Sequence, residues 1–363
     1  MNIAGVYQWI LRAYSGIPYR VFKSGYAFPA IHYYLEVTRR CNLRCRMCQY
    51  IDWLNHTSGA LQQEGELSTD EWKRVIDQTG RFSLLTFTGG EPWVRQDFTE
   101  LLGYACSKRL VHCISNCTLW TEETVERCID LAPRRLPAKG LISLGVSLDA
   151  PGERHDAIRG LAGAFDKATR AVSLLTRRRR ETGRRWPVVH VTSVIQEANL
   201  DVLPAMADVA AEIGADALNL TIENRFNDVE GVGVADPAAI KASDVPFPRL
   251  DPVPLDRALR DSIEAARKAG VALRLPRMPI EQVVRYYSGV CDLAGFQCRE
   301  PWTTLYIGRK GNVFPCFIHQ VGSVQSKPVR EIWNGKEMRA FRQRCRKGLW
   351  PVCRGCCEME FRG

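Results

Sequence analysis

Cys41, Cys45 and Cys48 stand together in the run C-N-L-R-C-R-M-C. Three thiolates so close in sequence form a soft ligand set that suits an iron–sulfur cluster or zinc. A four-iron cubane takes four ligands, so a cysteine triplet leaves one iron open to a substrate or cofactor. Four more thiols, Cys298, Cys316, Cys353 and Cys356, lie near the other end, where the last 75 residues hold seven of the chain's fourteen cysteines. Between these groups come Gly89-Gly90-Glu91-Pro92, whose glycines let a ligand approach the backbone and whose proline keeps Glu91 extended.

The elements that carry these residues follow a regular alternation. From about residue 32 to 225, short apolar stretches alternate with helical patterns, the mark of βα units. Six strands are expected, at Tyr34 to Thr38, Ser83 to Thr88, Leu110 to Ser115, Leu141 to Leu148, Val188 to Ile195 and Ala217 to Ile222. Ser68 and Glu71 form an S-x-x-E capping box that starts the first helix of the series ahead of Trp72, Val75 and Ile76. On the fourth strand Ile142, Leu144, Val146 and Leu148 share one face, opposite Ser143, Gly145, Ser147 and Asp149. The sixth sets Leu218, Leu220 and Ile222 against Asn219, Thr221 and Glu223. One bulky face and one small polar face imply a wide or incomplete barrel: helices cover the first, and the second lines a ligand cavity. A tightly closed barrel would fill its interior with branched apolar side chains instead. The cysteine triplet, Gly89 to Pro92, and Ser147 with Asp149 all fall at the carboxyl ends of strands, where such folds place their chemistry.

Composition sets the outer limits. With 363 residues, 45% hydrophobic and 25% charged, the chain is an ordinary globular protein of two or three domains, which excludes global disorder, collagen and coiled coil. The net charge of +10 favours acidic partners without naming one. No apolar run is long enough for a transmembrane helix, and Met1 to Leu11 carries no basic lead of a signal peptide, so a cytoplasmic, thiol-reducing location is expected. Ile3, Val6, Ile10 and Tyr14 keep helical spacing with Trp9 beside them, which predicts a short amphipathic helix that docks on the protein's own core or touches a membrane surface. The basic run Arg177 to Arg180 lies at a helix C-terminus, where cations suit the dipole, on the face opposite the strand ends. It reads as a solvated patch, and no nucleic-acid partner is expected. Residues 226 to 254 read as a loop, and a domain boundary is expected near Pro276 to Ser288. The division is therefore 1–31 as an N-terminal segment, 32–280 as the barrel and 281–363 as a separate metal-bearing tail.

Cys41, Cys45 and Cys48 match the C-x3-C-x2-C motif of the radical S-adenosylmethionine (SAM) superfamily, which the sequence resembles. Gly89, Gly90, Glu91 and Pro92 match its G-G-E-P motif, Ser147 and Asp149 resemble its ribose-binding segment, and Ser115-Asn116 resembles its T-N-G element. Cys117 stands where that element has glycine, and Met47 where the family often has an aromatic. The tail resembles the SPASM/twitch extension: Cys298, twelve residues, Gly311, four residues and Cys316 match its start, and Cys353 and Cys356 supply a C-x2-C pair. The longer cysteine run of two-cluster tails is missing.

This resemblance implies an α/β fold, a partial (β/α)6 TIM-type barrel followed by a small iron–sulfur domain. It implies a SAM-binding [4Fe-4S] cluster on Cys41, Cys45 and Cys48 and one auxiliary [4Fe-4S] cluster on Cys298, Cys316, Cys353 and Cys356, with Cys357 an alternative to Cys356. Gly89, Gly90, Glu91, Pro92, Asn116, Ser147, Asp149 and Arg159 are the expected SAM-binding residues, with Arg159 on the SAM carboxylate. An electron donor such as flavodoxin or ferredoxin is implied as partner.

Three functional readings follow. The leading one is oxidation of a small polar metabolite, a sugar or aminocyclitol, with Glu223 as base. Its variant is epimerisation, in which a thiol, Cys117, Cys291 or Cys345, returns hydrogen. The second is maturation of a peptide or protein, with a lipid substrate also open, and the third a non-catalytic metal protein.

Overall fold

The computed structural model describes residues 13–135, 138–223, 249–316 and 319–362. Its centre is a ten-stranded sheet. Strands β1 (His32–Thr38), β2 (Leu84–Gly89), β3 (Leu110–Ser115), β4 (Gly140–Ser147), β5 (Val188–Ile195) and β6 (Ala217–Ile222) run parallel, each pairing with the next. A seventh parallel strand, β7 (Ala272–Arg274), follows β6, one more than the sequence pattern showed. Its three residues are too few for an alternation to register. The fold is the expected α/β partial barrel.

Helices close over the outer face because the strands present a continuous apolar surface to them. Leu35, Val37, Leu85, Phe87, Val111, Val189 and Leu218 are wholly buried there. Helix Thr69–Asp77 shows how the local sequence produces its element. Ser68 accepts from the Glu71 amide while Glu71 accepts from the Ser68 amide, the expected capping box. Trp72, Val75 and Ile76 then face the sheet, and burying side chains of this size contributes about 1.5–3 kcal/mol each.

The interior is polar down to its base. His32 Nε2 lies 2.8 Å from Thr86 Oγ1, Thr86 Oγ1 3.2 Å from His112 Nδ1, and Ser143 Oγ 3.4 Å from His190 Nδ1. Burial lowers the imidazole pKa of His32 and of His190 to about 4, so both are neutral at pH 7 and fill the barrel without a charge penalty. The alternation expected on β4 slips once. Pairing with β3 shifts register between Val111 and His112, so Leu141 joins the buried face and Ile142 is displaced from it.

The tail joins the sheet of the barrel. Strand β9 (Thr304–Ile307) pairs in parallel with β1, His32 opposite Thr304, and β10 (Asn312–Phe314) and β11 (Gly322–Ser323) extend the same sheet antiparallel. Strands β8 (Phe296–Gln297) and β12 (Glu360–Phe361) form a two-stranded ribbon beside it. The stretch expected to be a boundary, near Pro276 to Ser288, contains helix Ile280–Tyr287, whose Tyr286 and Tyr287 are fully buried. The pairing between β1 and β9 spans about 270 residues, beyond any local pattern.

At the N-terminus, residues 13–21 are helical, and Tyr14 donates to the Pro29 carbonyl at 2.8 Å. Ile3, Val6, Trp9 and Ile10 of the expected amphipathic helix lie outside the described residues, as does most of the loop expected over 226 to 254. Among the described residues no helix is long and apolar enough to cross a membrane. In the basic run, Arg179 is buried against Asp216 at 2.6 Å and Arg178 pairs with Glu126 at 2.7 Å, so both carry structural contacts.

Candidate active site

The carboxyl ends of β2 to β6 converge on one cavity of about 320 Å³. Thr88, Gly89 and Gly90 come from the β2 end, Ser115 and Asn116 from β3, Ser147 from β4, Thr192 from β5, and Thr221 and Glu223 from β6. The loop after β1 closes one side with Cys41, Cys45, Met47, Cys48 and Tyr50. A larger surface cleft of about 800 Å³, between helix Thr69–Asp77 and residues 324–330, contains no cysteine and no strand end.

The three sulfurs of the loop all accept. Leu43 N–H donates to Cys41 Sγ and Tyr50 N–H to Cys48 Sγ, each at 3.4 Å, while Arg159 Nη1 lies 3.7 Å from Cys45 Sγ. Burial pushes Cys41 up to about 12, with the neighbouring Cys45 and Cys48 adding to the rise, and burial and Cys45 raise Cys48 as well, which shows how near the sulfurs are. Metal must therefore displace protons from this loop, and the waiting N–H donors stabilise the sulfur charge that results. A network beneath the loop holds it. Tyr50 donates to Glu36 Oε1 at 2.5 Å, Arg39 Nε donates to the same oxygen at 3.0 Å, and the Arg39 guanidinium lies over the Tyr50 ring. Sequence reading missed Tyr50, Glu36 and Arg39, since no motif marks them.

Gly89 and Gly90 are required by the contact of β2 with the β1 end. A Cβ on Gly89, whose φ is 145°, would lie 2.0 Å from the Thr38 carbonyl oxygen, and one on Gly90 2.3 Å from those of Arg39 and Arg40. Glu91 and Pro92 do not line the cavity. The Glu91 carboxylate, expected to bind SAM, is 1% exposed and turned toward β3, accepting from Asn116 N–H at 2.7 Å, Ser115 Oγ at 2.9 Å and Trp93 N–H at 3.2 Å. Burial raises it to about 7. It pins the β2 and β3 ends together instead of reaching into the site.

Asp149 is also corrected. It is wholly buried, and its Oδ2 pairs with Arg159 Nε at 2.7 Å while its Oδ1 accepts from Val194 N–H at 2.9 Å. Ser147 and Arg159 face the cavity; Asp149 stands behind them and orients Arg159. Asn116 faces the cavity and donates to Asn42 Oδ1 at 3.0 Å. Glu223 is in the wall as expected, its backbone gripped by two tyrosines: its N–H donates to Tyr287 Oη at 2.8 Å, and Tyr286 donates to its carbonyl at 3.0 Å.

Cys117 is not in the wall. It is 1% exposed, packed in the apolar core, with φ of 57°, the left-handed value that explains why glycine is usual there. Cys291 and Cys345 are buried away from the cavity too, so none of the three thiols named for hydrogen return reaches it.

In the tail, Cys298 follows β8, Cys316 follows β10, Cys353 lies within the turn Pro351–Gly355 and Cys356 ends it. Cys357, Cys298 and Cys353 all act electrostatically on Cys356, which brings three of the expected ligands together with Cys357 beside them. Cys345 also reaches this group, with its Sγ 3.9 Å from the Cys298 carbonyl oxygen. Cys357 lines the barrel cavity.

The radical SAM superfamily profile matches residues 35–209, and that of the iron–sulfur cluster-binding SPASM domain matches residues 298–357. The chain is 31% identical to the PqqA peptide cyclase of Granulibacter bethesdensis over 90% of its own length and 79% of the relative's. It belongs to the radical SAM superfamily and carries a SPASM domain. It is also 29% identical to an AdoMet-dependent heme synthase of Methanosarcina barkeri, over 90% of this chain and 87% of that one. SuiB of Streptococcus suis, solved with its precursor peptide SuiA, shares the fold with a TM-score of 0.62 and 13% identity, covering 92% of this chain and 71% of that one. A SAM-binding [4Fe-4S] cluster and auxiliary iron–sulfur binding therefore belong to this protein, and the loop sulfurs with their N–H donors suit the first.

Proposed function

We propose that this radical SAM enzyme is a maturase that modifies a peptide or protein. The observation that carries this reading is the 31% identity to a peptide cyclase across nine tenths of the chain. The fold shared with SuiB, whose structure holds a precursor peptide, agrees with it. The second reading of the sequence thereby displaces the sugar or aminocyclitol one.

Cys41, Cys45 and Cys48 would hold the first cluster, and Cys298, Cys316, Cys353 and Cys356 the auxiliary one. Held by that cysteine triplet, a reduced cluster with SAM bound would supply radical hydrogen-atom abstraction from the substrate. Gly89 and Gly90 let SAM approach the β2 backbone, since no side chain stands in the way. Arg159, held by Asp149, presents a fixed cation to the SAM carboxylate. Ser147 and Asn116 offer hydroxyl and amide partners to its polar groups. Glu223, fixed through its backbone, is placed to take a proton from the substrate carbon or nitrogen. A flavodoxin or ferredoxin delivers the electron.

The heme synthase relative favours a second reading, a porphyrin substrate. Both are tested by incubating reduced, reconstituted enzyme and SAM with peptides encoded beside its gene, or with an iron porphyrin. A mass change in a peptide, with 5′-deoxyadenosine formed in step, supports the maturase. Turnover with the porphyrin alone would overturn it.

A further inference from the structure

We propose that Cys357 is not a ligand of the auxiliary cluster but a free thiol on the substrate side of the SAM cavity, where it returns a hydrogen atom to the substrate radical. The inference rests on the maturase reading and assigns a residue to its final step.

The adjacent pair Cys356 and Cys357 differ in what their sulfurs do. Cys356 Sγ accepts the Glu358 N–H at 3.4 Å, the same bond from the residue two positions on that Cys41 receives from Leu43 and Cys48 from Tyr50. That is the environment of a sulfur that carries charge. Cys357 Sγ instead donates its proton toward Glu358 Oε1 at 3.8 Å, the behaviour of a thiol.

Position agrees with this division. Among the described residues, Cys357 is the one tail residue that lines the cavity shared by Cys41, Gly90, Ser147 and Glu223. Consecutive side chains in an extended stretch point to opposite sides. Cys356 has extended dihedrals, φ −105° and ψ 129°, so one thiol can serve the tail while the next faces the barrel.

In the step proposed, the S–H bond of Cys357 breaks homolytically and a C–H bond forms at the substrate radical, leaving a sulfur radical. One electron from a donor of the flavodoxin or ferredoxin class and one proton from water restore the thiol. Because a thiol exchanges with solvent, the hydrogen delivered originates in water.

Two measurements test this, and neither needs the peptide. Iron content and the electron paramagnetic resonance of reconstituted C357A and C357S are expected to match wild type, while C356A loses the auxiliary signal. In heavy water with SAM and reductant alone, wild type is expected to place deuterium in 5′-deoxyadenosine from the cavity thiol. C357A and C357S should lose most of that label per 5′-deoxyadenosine formed. Loss of the auxiliary signal in C357A and C357S would make Cys357 a ligand, and unchanged deuteration in both variants would remove it as donor; either result overturns the proposal. Absence of any peptide product would bear on the maturase reading and leave these two results as they stand.

Discussion

Arg159 Nε lies 2.7 Å from Asp149 Oδ2, at the bottom of the cavity and within hydrogen-bonding reach of Cys45 through Nη1. The two side chains are 10% and 0% exposed, so water can do little to replace either partner. Removing one member of a buried pair costs about 3–5 kcal/mol, because the other is left buried and uncompensated. R159A should therefore lower the unfolding temperature and abolish SAM binding. A D149N/R159M double variant should recover stability and still fail to bind SAM in equilibrium dialysis. If the double variant binds SAM, Arg159 is structural only.

The backbone at Cys117 supports a second expectation. A left-handed residue that is not glycine carries about 1–2 kcal/mol of strain, and glycine removes it while giving up a small buried side chain. C117G should stay within about 1 kcal/mol of wild type in urea unfolding, where C117V loses about 2 kcal/mol or more, being β-branched at positive φ. Formation of 5′-deoxyadenosine by C117G should equal wild type. A large loss would return Cys117 to the chemistry.

Glu91 carries a pH dependence whose sign can be worked out. Its folded pKa is raised to about 7 from an ordinary 4.5 by burial. Between those values the unfolded chain has released the proton that the folded protein keeps, so stability is full below about 4.5 and falls as pH rises through 7. At about 1.4 kcal/mol per unit, the contribution is on the order of 3 kcal/mol. Unfolding of the cluster-free protein should show this decline, and E91Q should flatten it.

At Gly90 the expectation is steric. A methyl group there meets the Arg39 and Arg40 carbonyl oxygens at 2.3 Å and must push β1 and β2 apart at the cluster loop. G90A should lose SAM affinity and incorporate less iron on reconstitution, with little change in the far-ultraviolet circular dichroism. Full iron and full affinity would mean that the strand ends can give way at no cost.

Tyr50 offers a milder test. Y50F removes one buried hydrogen bond to Glu36, a change of about 1 kcal/mol. Its larger effect should fall on the loop, seen as faster bleaching of the first cluster in air.

Much of this protein can be read from local pattern. Three of the six expected strands match their observed limits, at Leu110, Val188 and Ala217, because apolar alternation and strand ends are encoded over five to eight residues. The capping box at Ser68 is local in the same way, and so is the cysteine triplet, where spacing alone brings the three sulfurs together. The direction in which a side chain turns at a strand end is not local. Asp149 and Glu91 belong to motifs that read as ligand-facing, yet each meets a buried partner from another element, Arg159 for one and the β3 end for the other. Cys117 reads as a free thiol until the fold seals it in the core.

The tail shows the same limit at longer range. Its cysteine spacing announces a metal unit, but contacts between distant segments, the pairing of β9 with β1 among them, set Cys357 at the barrel cavity. Sequence determines which residues can bind iron and SAM, since that depends on residue type and short spacing. Which of them face the cavity is decided by contacts between distant segments, whose energies depend on burial and partners that no window of sequence contains.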